Sequence, residues 1–280
     1  MISENSVNDH ACGGRQLERF PFFALLLWVA QMLAHEAGYW FGSRRRARGE
    51  EAQAEGVGVV VGGMLSLLAF VLALTLSFAN SRFSERVQGT LSEANAIGTA
   101  WLRAEAIDHV RGPEIAKLLE EYTRLRREFV SEGQDQSTVD EFNQRTNALQ
   151  SKIWGHVAAI VREQPNVVST SLMAAINDAF DEATAERFAY YLRLPPPIFW
   201  LLLGMTLLGM AALGFQLGLS GKQVHVMVAF LSVMWTVVIV DILDLASPRI
   251  GAFRASAAVY DWTLQGFKGG LQNPPPPSSQ

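Results

Sequence analysis

Ionisable side chains set in apolar sequence are where this chain could do chemistry. His35 and Glu36 lie in the last third of one apolar run, Phe20–Phe41, and Asp241 and Asp244 lie near the end of another, Val224–Leu245. An ionisable group inside a membrane span is costly, so each of the four is a candidate for a functional role. Their expected use is pairing at the membrane interface. His35 and Glu36 are followed shortly by Arg44, Arg45, Arg46 and Arg48, and Asp244 is followed by Arg249. Asp241 lies deeper than Asp244 and is the stronger functional candidate.

No reaction centre assembles around them. The sequence has no phosphate-binding glycine loop, no H-E-x-x-H and no G-x-S-x-G. The 5 histidines, His10, His35, His109, His156 and His225, fall on separate elements and read as packed or solvated residues. Cys12 is the single cysteine, so neither an internal disulfide nor a cysteine-based zinc site belongs to the framework. The chain is therefore expected to be no enzyme, with no cofactor and no metal. A formal net charge of −4 argues against a nucleic-acid partner.

The elements that hold these residues are mostly apolar helices. Hydrophobic residues make up 49% of the chain and charged residues 18%, against about 25% charged in ordinary soluble domains. Four apolar stretches stand out, Phe20–Phe41, Val57–Ala79, Ile198–Leu217 and Val224–Leu245. Each is close to the roughly 20 residues that carry a helix through a hydrocarbon core of about 30 Å. The expected fold is an all-α integral membrane protein in which two transmembrane helical hairpins flank a central extramembrane helical domain. The divisions are a polar tail over 1–19, spans one and two within 20–79, the helical domain over 80–197, spans three and four within 198–245, and a C-terminal segment over 246–280. The four consecutive prolines of that segment place a disordered tail at its end.

In the central region Ser84–Val110 continues the second span into water. Gly112 and Pro113 punctuate the chain. Helix is predicted over Glu114–Val130, where Ile115, Leu118, Leu119, Tyr122, Leu125 and Phe129 make one stripe. A loop over Ser131–Ser137 precedes a helix over Thr138–Glu163. Pro165 breaks that helix, and a fourth, Val167–Leu194, ends at Pro195–Pro197.

The first span is expected to be retained, because a long segment without net charge precedes it and no A-x-A-type site follows it. Arginine and lysine near spans favour the cytoplasmic side. Arg15, Arg19, Arg82, Arg86, Arg187, Arg193, Arg249 and Arg254 lie on the side of the termini and central domain, against Arg44, Arg45, Arg46, Arg48 and Lys222 on the other. The total places the termini and central domain in the cytoplasm, although the densest local cluster opposes it.

Three G-x-x-x-G pairs, Gly38 with Gly42, Gly58 with Gly62 and Gly214 with Gly218, mark where helix backbones can approach closely. In the run Glu93-Ala94-Asn95-Ala96-Ile97-Gly98-Thr99-Ala100-Trp101, Glu93, Ala96, Ile97, Ala100 and Trp101 recur at helical spacing. That face carries one carboxylate, Glu93, and one amide, Asn95. The expectation is a structural polar network in which Glu93 pairs with a basic residue such as Arg103 or Arg86, with Arg82, Asp241, Asp244 and Arg249 as further members.

The segment Phe78–Arg86, FANSRFSER, resembles the point at which bestrophin anion channels leave the membrane. The whole chain over about residues 20–260 is similar to an uncharacterised bestrophin-like family. The arginine-rich first loop, Arg82–Arg86, Glu93–Thr99, and the cluster Asp244, Pro248, Arg249 and Gly251 carry that likeness. The aromatic pair that follows the acidic–Arg step in bestrophins is Val87-Gln88 here, and their acidic calcium cluster has no counterpart, so calcium gating is not implied.

The resemblance implies a homo-oligomer, a pentamer by analogy, in the lipid bilayer, with the second span lining a path for an inorganic anion such as chloride. Phe70, Leu74 and Phe78 recur at i, i+4, i+8 and are the candidate pore constriction, an apolar ring of the kind that gates by dewetting. The alternative is a non-conducting, membrane-anchored helical scaffold whose central domain binds a protein partner. Polar lining on the second span discriminates the two, and Ser66, Thr75, Ser77 and Asn80 are what it offers.

Overall fold

The computed structural model describes residues 19–49, 54–131, 136–192, 194–247 and 253–270. Among these residues there are eight helices and no strand. They are α1 (Arg19–Arg46), α2 (Ala54–Ala106), α3 (Gly112–Ser131), α4 (Gln136–Glu163), α5 (Val167–Tyr191), α6 (Pro196–Ser220), α7 (His225–Ala246) and α8 (Ala258–Lys268). The chain divides into two compact units. One takes Met1–Phe83 and Arg193–Phe253, the other Ser84–Leu192 and Arg254–Gln280.

Among the described residues three stretches are long and apolar enough to cross a membrane: α2, the stretch Val167–Ser220 that takes in α5 and α6, and α7. The first predicted span, α1, is not among them; Gln31, His35 and Glu36 interrupt its apolar run. Helix α2 is 53 residues, or about 80 Å at 1.5 Å per residue. Its apolar part ends at Ala79, and Arg82, Glu85, Arg86, Glu93, Arg103 and Glu105 follow. A hydrocarbon core of about 30 Å accommodates only the first part. Glu93 lies 14 residues beyond Ala79, past the apolar part of α2.

In the first unit, α1 packs against α6 and α7, helices from the other end of the chain. Two of the three glycine pairs make this possible, and they face each other. A Cβ on Gly38 would collide with the Ala211 carbonyl and one on Gly42 with that of Phe215; Gly214 and Gly218 stand likewise against the carbonyls of His35 and Tyr39. No side chain fits there, so the α1 and α6 backbones are in direct contact. The third pair behaves differently: Gly62 has open space, and Gly58 meets only the Gln216 side chain. Polar side chains tie α1 to α7, where Gln31 Nε2 donates to Thr236 Oγ1 at 3.1 Å in a buried setting. Leu68 and Leu72 of α2 join Leu202, Met210, Ile239 and Ile242 in the core of this unit.

The second unit is built on the amphipathic stripes. Five of the six stripe residues of α3, Ile115, Leu119, Tyr122, Leu125 and Phe129, are buried and Leu118 is half-buried, while Ala116, Thr123 and Arg126 are buried beside them. The stripe residues pack with Ile153, Val157 and Ile160 of α4 and Leu172 and Ile176 of α5. Each such side chain is worth on the order of 2 kcal/mol when buried. Pro165 ends α4, and Asn166 starts α5 through a reciprocal cap: its Oδ1 accepts from Ser169 N at 2.9 Å, while Ser169 Oγ accepts from Asn166 N at 3.1 Å. Helix α8 docks on the same core, with Phe267 stacked on Trp101 at 4.8 Å between ring centroids.

Candidate functional site

Two features of the structure have functional character, one in each unit. The first is a charged cluster in the core of the second unit. Glu93 of α2, Arg126 of α3, Glu186 of α5 and Tyr260 of α8 are each at most 1% exposed. Arg126 Nε donates to Glu93 Oε1 at 2.6 Å and its Nη2 to Glu93 Oε2 at 3.1 Å. The same Nη2 reaches Glu186 Oε2 at 2.5 Å. Tyr260 donates its hydroxyl proton to Glu93 Oε2 at 2.7 Å. Phe129 lies beneath the guanidinium at 4.6 Å. Four helices thus meet on one arginine.

One cation between two carboxylates leaves one negative charge too many for a dry site, and a proton resolves it. Burial, and then the Glu93 charge, push Glu186 up to about 8 from the ordinary 4.5. Burial also works against the charge on Glu93, but Arg126 and the hydrogen bonds from Glu186, Arg126 and Tyr260 outweigh it and hold Glu93 below its ordinary value. At neutral pH the pair therefore carries one proton, on Glu186, and the cluster is electrically neutral. Thr90 fits this state. Its single hydroxyl hydrogen faces two acceptors, the Arg86 carbonyl at 2.8 Å and Glu186 Oε1 at 2.7 Å. A protonated Glu186 can donate to Thr90 while Thr90 donates to Arg86.

With all four side chains sealed from solvent, the cluster has no face for an external substrate. What it can do is tie four helices together in a way that depends on one proton. The pairing differs from that predicted for Glu93: Arg103 instead donates from Nη1 to the Ser171 carbonyl at 2.7 Å, and Arg86, 1% exposed, lies near Tyr190 and Glu85. Asn95 is exposed. Arg82, over the Phe78 ring at 4.9 Å, and Asp241 and Asp244 belong to the other unit, and Arg249 lies outside the described residues.

Arg126, Glu186 and Tyr260 were not legible as partners of Glu93, yet the first two left a trace. Arg126 falls in the buried register 115, 119, 122, 126, 129 of α3, and Glu186 in the register 172, 176, 179, 183, 186, 190 of α5. A charge at a core position of a periodic helix requires a partner.

The second feature is the surface of α2 in the first unit. Val61, Leu68, Leu72, Thr75 and Ala79 are buried and share one face. Opposite them Phe70, Leu74 and Phe78 are 61%, 55% and 40% exposed. Ser66, Ser77 and Ser81 are also exposed, on the same side of the helix. The predicted triad therefore forms an outward stripe with small hydroxyl residues beside it. Thr75, expected as polar lining, is instead turned inward, its hydroxyl donating to the Val71 carbonyl at 2.7 Å. A cavity of about 920 Å³ in this unit has apolar walls that include Val57, Val60, Met64 and Leu208, with Arg44, Arg45 and Arg48 also lining it.

A family model for the Bestrophin-like domain matches residues 29–260. The chain belongs to the bestrophin-like family. The matched range of this bestrophin-like protein takes in both features, from α1 to Tyr260, the last member of the buried cluster. Comparison with curated proteins and with solved structures gives no match.

Proposed function

We propose that this bestrophin-like membrane protein is a homo-oligomeric anion channel, not an enzyme, in which α2 from each subunit lines the conducting path. Four spans, α1 and the apolar parts of α2, α6 and α7, cross the cell membrane, and the termini and central helical domain are cytoplasmic. The observation that carries this reading is the two-faced character of α2. One face is packed into its own subunit, while Phe70, Leu74 and Phe78 point away from it with serines alongside. Rings of these side chains around an axis make an apolar constriction that excludes ions by dewetting, and the serines supply polar lining next to it. Family membership supports the same arrangement, with five subunits by analogy to bestrophins. Arg44, Arg45 and Arg48 raise the local anion concentration.

The scaffold reading is favoured by one observation of its own, the helical unit joined through the buried contacts of Arg126, which needs no conduction. Chloride flux in liposomes, combined with the mass of the purified assembly, decides between them. An oligomer with flux supports the channel, and a monomer without flux supports the scaffold.

A further inference from the structure

We propose that His35, Glu36 and His225 form a binding site for a divalent transition-metal ion, with zinc the best match, that joins α1 to α7. One ligand atom from each of the three residues lies within 4.8 Å of the other two. His225 Nδ1 and Glu36 Oε1 are 3.4 Å apart. Two ligands at zinc's usual bond lengths in tetrahedral geometry stand about 3.3 Å apart, so this pair is already at the spacing a metal imposes. Two imidazoles and one carboxylate with a fourth position open to water is a recurrent zinc donor set.

His35 supplies the independent observation. It is 1% exposed, and its Nδ1 has no hydrogen-bond partner. A buried ring nitrogen without a partner is costly unless something occupies it. A neutral imidazole has one N–H to give and one lone pair to offer, and an unpartnered Nδ1 can present that lone pair to a metal. The setting also fits. His35 is fixed by burial, whereas the Glu36 and His225 side chains are 53% and 46% exposed. They can close the remaining gap and admit water to the fourth position. Tyr39 lies against both rings, with centroids 6.5 Å from that of His35 and 5.7 Å from that of His225. A bare Glu36–His225 ion pair accounts for the 3.4 Å contact but not for the unpartnered nitrogen beside it.

The test uses the full-length, tag-free protein in detergent, stripped with a chelator, dialysed against zinc chloride and analysed for metal per chain. The expected result is about one zinc ion per chain, with affinity falling at least tenfold in His225→Ala and in Glu36→Gln. Both changes are at half-exposed positions and leave the fold intact, which the unliganded melting temperature verifies. Zinc should raise the melting temperature of the wild type and not of either variant. Cobalt(II) in place of zinc should give visible absorption bands that both variants lose. Binding that is unchanged in these variants but lost in His10→Ala or Cys12→Ser would overturn the proposal. So would a stoichiometry near zero.

Discussion

Arg126 grips Glu93 through two nitrogens, Nε at 2.6 Å and Nη2 at 3.1 Å, in a site where both side chains are sealed from water. The fork–fork geometry gives direction as well as strength. With Glu186 and Tyr260 completing the shell, α2, α3, α5 and α8 share one charged centre.

That centre is expected to make stability fall as pH rises. Glu186 keeps its proton in the folded chain up to about pH 8, against 4.5 ordinarily. Between those values the folded chain binds more protons than the unfolded one, so each rise in pH favours unfolding, by at most about 1.4 kcal/mol per unit. The stabilisation is complete below about 4.5 and gone above about 8. Glu93, shifted the other way, acts only at lower pH. Melting temperatures in detergent should drop between pH 6 and pH 9 in the wild type. Glu186→Gln, which mimics the protonated form, should flatten the profile and melt higher than wild type at pH 9. Equal slopes for the two proteins would refute the shared-proton account.

Arg126→Met should cost about 3–5 kcal/mol, because it leaves a buried carboxylate without its cation. Adding Glu93→Gln to that variant should recover a substantial part, since the uncompensated charge is then gone. The coupling is measured by chemical denaturation of the four proteins of this double-mutant cycle. Additive losses would mean that the pair is not energetically linked.

The contact between α1 and α6 predicts a sharp positional contrast among glycines. Gly214→Ala sets a methyl group against the His35 carbonyl, with Tyr39 N 3.0 Å away. Overpacking of this kind costs about 1–3 kcal/mol. Gly155→Ala, in α4 with nothing within 4 Å, should be neutral or should gain up to about 1 kcal/mol from helix propensity. Thermal melting of both variants checks the contrast, and a harmless Gly214→Ala would show that the backbones are not in contact.

Much of the fold is written in local signals. Pro113 near the start of α3, Pro165 before Asn166 and the prolines Pro195–Pro197 at the start of α6 place the helix boundaries to within a few residues. The stripe from Ile115 to Phe129 identifies the buried face of α3 because helical periodicity is a short-range property. The glycine spacing flags close approach but not the partner, so Gly38 and Gly214 could be singled out while their meeting could not. The cluster was harder still. Glu93 and Tyr260 are separated by 167 residues, and α8 follows a segment whose sequence has no strong period. Glu93 could be recognised as a carboxylate on a packed face. Which arginine answers it is decided by tertiary packing, and Arg126 lies on a different helix from the expected Arg86 and Arg103.

The proposed anion path along the outward stripe of α2 is tested most directly by chloride flux through liposomes. Phe70→Ala, Leu74→Ala and Phe78→Ala together should widen the constriction, lower the dewetting barrier and raise flux several-fold over wild type, on the order of 1 kcal/mol or more of barrier. The assembly mass should be unchanged. Wild type and triple variant equally silent, with both reconstituted at the same density, would contradict the account and leave the protein a membrane-anchored scaffold.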